Sequence, residues 1–253
     1  DPAECGPVTL SFCQDVQAEA FDYPESFFAP KIWHQRRVRP DAQELARVVD
    51  AIKVAKRPVI VAGGGVHYSE AFDTLRSFAE THNIPVTETQ AGKSALTWDH
   101  PLNLGPIGVT GGEPANAVCA EADLVLGVGT RFQDFTTGSW SLFANPKRQL
   151  VSLNVAAYDA EKHGAMPLMT DARVGLEELS RALGGHAFAA SVAGLKSDWF
   201  GKVDPLTDAP ETNNSLATDM QVVGAVQRAS RAETVVMCAA GTMPGELHKL
   251  WKA

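Results

Sequence analysis

Three stretches place glycines where a β-branched run ends, an arrangement that can turn backbone amides toward a phosphate. They are Arg57-Pro-Val-Ile-Val-Ala-Gly-Gly-Gly65, Asp123-Leu-Val-Leu-Gly-Val-Gly-Thr130 and Thr234-Val-Val-Met-Cys-Ala-Ala-Gly241. A dinucleotide fingerprint needs G-x-G-x-x-G, and after Gly63 and Gly65 the third position is Tyr68. Glu88, closing the next apolar run, stands where an acid could meet a ribose hydroxyl, so the match is partial. A tight turn in a domain that binds no nucleotide explains the same residues and weighs more. Gly127-Val-Gly129 also lacks the third glycine; Arg131 beside it could hold a pyrophosphate or pair with Asp134. There is no P-loop, no H-E-x-x-H and no G-x-S-x-G. The histidines at 34, 67, 82, 100, 163, 186 and 248 show no ligand spacing. His100 reads as a loop hydrogen-bonder, His163 as the finish of a helix, and Asp123 and Asp171 as caps. The residues alone therefore give no complete catalytic set and no metal site.

The elements that must position these turns follow from periodicity. Pro40-Asp41 opens a helix with apolar residues Leu45, Val48, Val49 and Ile52 at helical spacing. A strand Val59 to Ala62, a helix Ser69 to His82 and a strand Pro85 to Thr89 come next. An irregular glycine-rich section, Gly92 to Gly112, leads to a helix Pro114 to Ala122 and a strand Leu124 to Val128. A loop Arg131 to Asn145 precedes a strand Gln149 to Val155, a short segment Met166 to Met169 and a helix Asp171 to Leu183 stopped by Gly184-Gly185. Strands separated by helices predict an α/β fold with a doubly wound parallel sheet. At the flanks, Gly6 to Cys13 reads as a buried strand that turns at Gln14-Asp15. Phe21 to Pro40 reads as a linker, and Asp204-Pro205 through Asn213-Asn214 as an interdomain connection. A helix Met220 to Arg231, a strand Thr234 to Ala239 and a helix Pro244 to Trp251 begin another domain.

Composition narrows the function. With 253 residues and 45% hydrophobic content the chain can bury a full core. Its net charge of −8 argues against nucleic acid as partner and suits small molecules. The basic cluster Lys31 to Arg39, with Trp33, His34, Arg36 and Arg37, reads as a solvated connecting arm. Cysteines at 5, 13, 119 and 238 fit no metal motif, and Cys13, Cys119 and Cys238 read as buried thiols. No apolar run approaches the roughly 18 residues of a membrane span. Asp1-Pro-Ala-Glu carries no secretory pattern, so the cytoplasm is the default location, and the absent initiator Met suggests an excised piece.

The order of these landmarks resembles a known family. Arg57-Pro-Val-Ile-Val-Ala-Gly-Gly-Gly65, Ile84-Pro-Val-Thr-Glu-Thr89, Asp99-His-Pro-Leu-Asn-Leu-Gly105, Ala122 to Phe132 and Leu153-Asn-Val155 resemble the central domain of thiamine-diphosphate enzymes of the acetolactate-synthase type. Gly6 to Gln17 is similar to the close of their pyrimidine-binding domain, and Met237 to Trp251 to the opening of their diphosphate-binding domain. Glu88 to Lys93, Gly105 to Gly111, Gln133 to Trp140, Tyr158 to Gly164 and Ala240 to Trp251 resemble one branch, the ring-opening trihydroxycyclohexanedione hydrolases of inositol catabolism.

The resemblance implies a DHS-like NAD/FAD-binding fold over 40–185, an end of the pyrimidine domain plus linker over 1–39, a linker over 186–218 and a truncated diphosphate-binding start over 219–253. It implies thiamine diphosphate with Mg2+, a cyclic dione as small-molecule substrate, and a homo-oligomer without nucleic acid or membrane. In that chemistry the C2 carbanion of the cofactor adds to a carbonyl, and the adjacent C–C bond breaks with the cofactor as electron sink. Hydrolytic release gives an open-chain deoxyglucuronate. The carbanion-forming glutamate would precede residue 1 and the metal motif would follow residue 253, so the chain alone is expected to be inactive. Of the cofactor site only Gly241, Thr242 and Met243 match, at a turn contacting the diphosphate. Gly63, Gly64 and Arg131 match places where some relatives hold FAD, which this branch is not expected to use. Two other readings stand beside this one: a stand-alone nucleotide-binding module on Gly63 to Gly65 and Arg131, and another thiamine-diphosphate carboligase or decarboxylase.

Overall fold

The computed structural model describes residues 2–4, 6–189, 191–208 and 216–253. Cys5 and residues 209–215 of the expected interdomain connection lie outside them. The backbone falls into two compact units, Asp1–Arg37 and Val38–Ala253.

The first unit contains short helical pieces: 3-10 turns at Pro2–Glu4 and Glu25–Phe28, and helix α1 (Gln14–Gln17). The expected strand Gly6 to Cys13 does not form. Its apolar residues Val8, Leu10 and Phe12 stand 85%, 73% and 64% exposed. An extended segment becomes a strand only where a neighbour takes its N–H and C=O groups, and Gly6 to Cys13 pairs with no other described strand. Phe21, Tyr23, Phe27 and Phe28 cluster with ring centroids 4.9–6.2 Å apart while staying largely exposed.

In the second unit, α2 (Ala42–Val54) starts at Asp41, whose carboxylate accepts from the amides of Gln43 and Glu44 at 2.8 and 3.1 Å. Its stripe Val48, Val49, Ala51 and Ile52 is buried as the spacing predicts. Burying a side chain such as Ile52 contributes ~1.5–3 kcal/mol. There follow β1 (Pro58–Ala62), α3 (Gly64–Tyr68), α4 (Phe72–His82), β2 (Val86–Glu88), β3 (Asn103–Pro106), α5 (Glu113–Glu121) and β4 (Leu124–Val128). Then come α6 (Asp134–Thr137), β5 (Gln149–Asn154), α7 (Ala157–Glu161), β6 (Met166–Met169) and α8 (Ala172–Leu183). The last helices are α9 (Ala193–Thr207), α10 (Asp219–Ala229) and α11 (Met243–Leu250).

The six strands form one parallel sheet in the order β3-β2-β1-β4-β5-β6, with Ile60 opposite both Val86 and Leu126. The expected doubly wound α/β sheet is therefore present. β1 and β4 lie at its centre and every residue of both is buried, which is why they read as continuous apolar runs. Alternation sorts β1 between two cores. Ile60 and Ala62 join Val48, Ile52, Leu75, Phe78, Leu176 and Leu179 on the side of α2, α4 and α8. Val59 and Val61 join Leu104, Ala115, Cys119, Phe132 and Phe143 on the other. α9, α10 and α11 bury a smaller cluster of Val203, Val223 and Leu250. Gly224 permits that packing: a Cβ there would meet the Thr207 carbonyl oxygen at 2.2 Å.

Several details depart from expectation. The helix expected over Ser69 to His82 begins only at Phe72, as α4, and a separate short helix, α3, precedes it within the glycine turn, the two parted where Glu70 takes φ +52°. The Ser69 hydroxyl, just before the break, donates to Asp171 at 2.8 Å. The glycine-rich section contains β3, whose sequence Asn-Leu-Gly-Pro has no β-branched residue and survives at an edge, where proline is tolerated. The loop Arg131 to Asn145 contains α6, and the stretch after Gly184 contains α9. Thr234 to Ala239 is not a strand; Val235 and Met237 are 86% and 88% exposed, with no neighbouring strand to pair with. Cys119 is buried, but Cys13 and Cys238 are exposed, because the two strands expected to bury them do not form. Asp171 caps α8 as expected. Asp123 accepts from the amides of Lys56 and Arg57, both at 2.8 Å, and so fixes the entry to β1 from the neighbouring strand.

Candidate functional site

Strand order reverses between β1 and β4, the place where open α/β sheets usually leave a crevice for a ligand. Here the chain fills that crevice itself. The Gly63 amide donates to Val128 O at 2.8 Å, Gly65 to Gly129 O at 3.0 Å and Gly129 to Leu153 O at 2.8 Å. A Cβ on Gly63 would lie 2.4 Å from the Gly129 oxygen, and one on Gly65 would lie 2.5 Å from the Gly129 Cα. The two glycine turns are glycines because each presses against the other. Their amides serve the protein's own carbonyls.

The side chains expected around that turn are likewise engaged or turned outward. Glu88 is 5% exposed; it accepts from Lys93 Nζ at 3.2 Å and from the Ser94 amide at 3.0 Å. Burial raises its pKa, and the Lys93 ammonium opposes that rise. Each oxygen of this buried acid already accepts from within the fold rather than facing an open crevice. Arg131 is exposed and forms no ion pair among the described residues; Asp134 accepts from Ser139 Oγ at 2.8 Å instead. His100 does act within its loop, accepting from the Leu102 amide at 3.2 Å, and its other ring nitrogen meets Glu80 of α4 at 3.0 Å.

The turn at Gly241 differs in every respect. Gly241 has φ +142°, and a Cβ there would find nothing within 4 Å. Neither the Gly241 nor the Thr242 amide donates a hydrogen bond to another described residue. Both residues are exposed at the start of α11, whose dipole favours an anion there, although Pro244 has no N–H and the Gly245 amide donates to Thr242 O at 3.0 Å. The Thr242 hydroxyl donates to Asp219 at 3.1 Å, which ties the turn to the start of α10. Met243 turns its side chain inward to the cluster of Val203, Val223 and Leu250 and contributes support there. The structure therefore keeps the three residues together in one turn, with two offering backbone donors and the third anchoring the helix.

Sequence reading left His248 among scattered histidines. It lies on α11, only 4% exposed, with Nδ1 3.1 Å from Thr110 Oγ1 on the loop after β3. Burial pushes its pKa down to about 4, and the nearby Lys93 acts in the same direction, so the ring is neutral near pH 7. A contact spanning 138 positions leaves no local periodicity to read.

A cavity of about 260 Å³ lies between α9, α10 and α11, but its cations are committed: Arg228 to Asp208 at 2.5 Å and Lys252 to Asp204 at 2.9 Å. No group of His, Cys, Asp and Glu among the described residues is arranged to hold a metal ion. No helix among them is long and apolar enough to cross a membrane.

Residues 45–179 match the family model for the central domain of thiamine pyrophosphate enzymes. Over the whole chain the sequence is 39% identical to a 3D-(3,5/4)-trihydroxycyclohexane-1,2-dione hydrolase of Clostridium perfringens, of which the match covers 43%. It is 40% identical to the enzyme of that name from Halalkalibacterium halodurans, with 100% of this chain and 44% of the relative covered. For the one from Geobacillus thermodenitrificans identity is 38%, with 99% of this chain and 43% of the relative covered. The chain thus spans less than half the length of these relatives. The all-parallel sheet and the match over residues 45–179 agree, and the chain belongs to the thiamine pyrophosphate enzyme family through that family's central domain.

Proposed function

We propose that this chain is part of a thiamine-diphosphate-dependent hydrolase that opens the ring of 3D-(3,5/4)-trihydroxycyclohexane-1,2-dione to 5-deoxyglucuronate in inositol breakdown. The observation that carries the reading is the 39% identity with such a hydrolase along the entire chain, both flanks of the central domain included. In the proposed layout residues 40–185 are the central domain and 186–218 a linker. Residues 1–39 and 219–253 belong to the pyrimidine-binding and diphosphate-binding domains.

Bound thiamine diphosphate supplies an electron sink for breaking a C–C bond next to a carbonyl. Water adds across the broken bond, leaving a carboxylate on one carbon and a new C–H on the other. This chain's part is to hold the diphosphate end. The amides of Gly241 and Thr242 would donate to phosphate oxygens, and the N-terminus of α11 would add its partial positive charge. Met243 keeps the turn in place through its apolar contacts. The described residues of this chain include no group that would hold the Mg2+ of this reading. The working enzyme is a cytoplasmic homo-oligomer.

Two assays test the reading. The enzyme containing this segment, extended on both sides, should hydrolyse the dione with added thiamine diphosphate and Mg2+, and the 253-residue chain alone should not. Turnover by the chain alone overturns the proposed layout, and failure of the extended enzyme with this dione but not with a 2-oxo acid moves it to a carboligase or decarboxylase. Titration with ADP, NAD and FAD addresses the nucleotide-binding alternative. The internally bonded amides of Gly63 and Gly65 lead us to expect no saturable binding at micromolar concentration.

A further inference from the structure

Two remote segments, Gly105 to Gly111 and Ala240 to Trp251, meet through the side chain of Thr110. The loop that carries Thr110 is tightly determined. The Asn116 side chain brackets Gly108, accepting from its amide at 3.0 Å and donating to its carbonyl at 3.1 Å. The Val109 amide donates to Phe135 O at 2.8 Å, and the Gly112 amide to Pro106 O at 2.8 Å. At Gly108, where φ is +122°, a Cβ would lie 2.3 Å from the Phe135 oxygen, and at Gly111 one would lie 2.6 Å from the Gly108 nitrogen. Neither strand end nor loop has room to drift.

From this fixed base Thr110 touches α11 twice. Its Oγ1 is 3.1 Å from His248 Nδ1. Its Cγ2 would lie 3.0 Å from a Cβ placed on Gly245, so glycine at that position lets the helix sit directly on the threonine. Gly245 lies in the first turn of α11, four residues after Gly241, which immediately precedes the helix cap Thr242. A shift of α11 on Thr110 is therefore a shift of the exposed amides at its start.

We infer that Thr110 is a positioning residue for the anion-holding turn at Gly241 and Thr242, acting through Gly245 and His248 and without touching the cofactor. The inference rests on the proposed diphosphate role of that turn. Its consequence is that losing the hydroxyl weakens cofactor binding more than turnover.

The test uses the extended enzyme. Thr110→Val keeps the branched shape and removes the hydroxyl, whereas Thr110→Ser keeps the hydroxyl. The Kd for thiamine diphosphate, followed by quenching of tryptophan fluorescence, should rise about three- to tenfold in Thr110→Val, as loss of one hydrogen bond implies. It should return to within about twofold of wild type in Thr110→Ser, while kcat at saturating cofactor changes less than about twofold in both. Gly245→Ala should raise Kd further, by crowding Thr110. A wild-type Kd in Thr110→Val overturns the positioning role, even where the melting temperature falls. If wild type binds no thiamine diphosphate, both the inference and the reading beneath it fail. A separate measurement isolates the contact: in the 253-residue chain, the ¹⁵N shift of His248 Nδ1 should move in Thr110→Val. An unchanged shift overturns the hydrogen bond itself.

Discussion

At Gly129 an added Cβ would lie 2.4 Å from the Cα of Gly65; at Gly241 it would meet nothing within 4 Å. Both turns follow apolar runs and both contain glycine at positive φ or in close approach, but their surroundings give that glycine opposite uses. In the first, missing side chains allow two backbone turns to interlock at the centre of the sheet, and the amides are spent on carbonyls across the gap. In the second, the missing side chain leaves two amides uncovered at a helix start. Glycine after an apolar run thus serves either close approach of backbone to backbone or an uncovered turn, and the state of the amides tells the two apart.

The largest expected effect comes from filling the closed turn. Gly129→Ala adds a methyl where Gly65 Cα stands, at a residue whose φ is +61°, so both packing and backbone oppose it. We expect a loss of ~3 kcal/mol or more in urea denaturation of this chain, or failure to fold. A loss under ~1 kcal/mol would mean that the two turns are not locked together.

Acid titration probes the other region. His248 protonates near pH 6.5 in the unfolded chain but only near pH 4 when folded. The unfolded state therefore binds more protons across that window, and stability falls as pH drops from about 6.5 to about 4. Glu88 has the opposite sign: its raised pKa keeps a proton longer in the folded state, so its contribution declines as pH rises above 4.5. Comparing denaturation midpoints of wild type and His248→Gln between pH 4 and 7.5 should show a flatter acid limb in the variant, by on the order of 2 kcal/mol. Parallel curves would show that His248 is not held neutral.

The smallest stability effect belongs to Gly241→Ala. Nothing crowds the new methyl, so only the unfavourable φ counts, at ~1 kcal/mol in thermal melts of this chain. The same change in the extended enzyme should raise the Kd for thiamine diphosphate at least tenfold, roughly the value of one lost charge-assisted hydrogen bond. A large stability loss with unaltered cofactor binding would reverse the comparison.

Much of the second unit could be read ahead. The stripe of α2, the apolar runs of β1 and β4 and the capping Asp171 carry their signals locally, in spacing and in end residues. What escaped depends on partners far along the chain. Val8-Thr-Leu-Ser-Phe12 and Val235-Val-Met237 have strand composition, but no ladder of hydrogen bonds receives them. β3 has no strand composition and is a strand because β2 offers an edge. At the proposed site, the family motif is what points to Gly241, with no spacing or local periodicity to do so. The Thr110–His248 contact and the mutual exclusion of Gly65 and Gly129 were not, since each is a matter of distance between remote segments.

Cys119 illustrates how position governs reactivity. Buried among apolar neighbours, its pKa is pushed up to about 12, so at pH 8 only about one molecule in ten thousand carries the thiolate that a maleimide attacks. Cys13 and Cys238 face water and should label first. With Cys5 and Cys13 changed to serine, a dye on Cys238 would sit three residues from Gly241 and report by its emission whenever an anion settles there, while the core stays chemically silent.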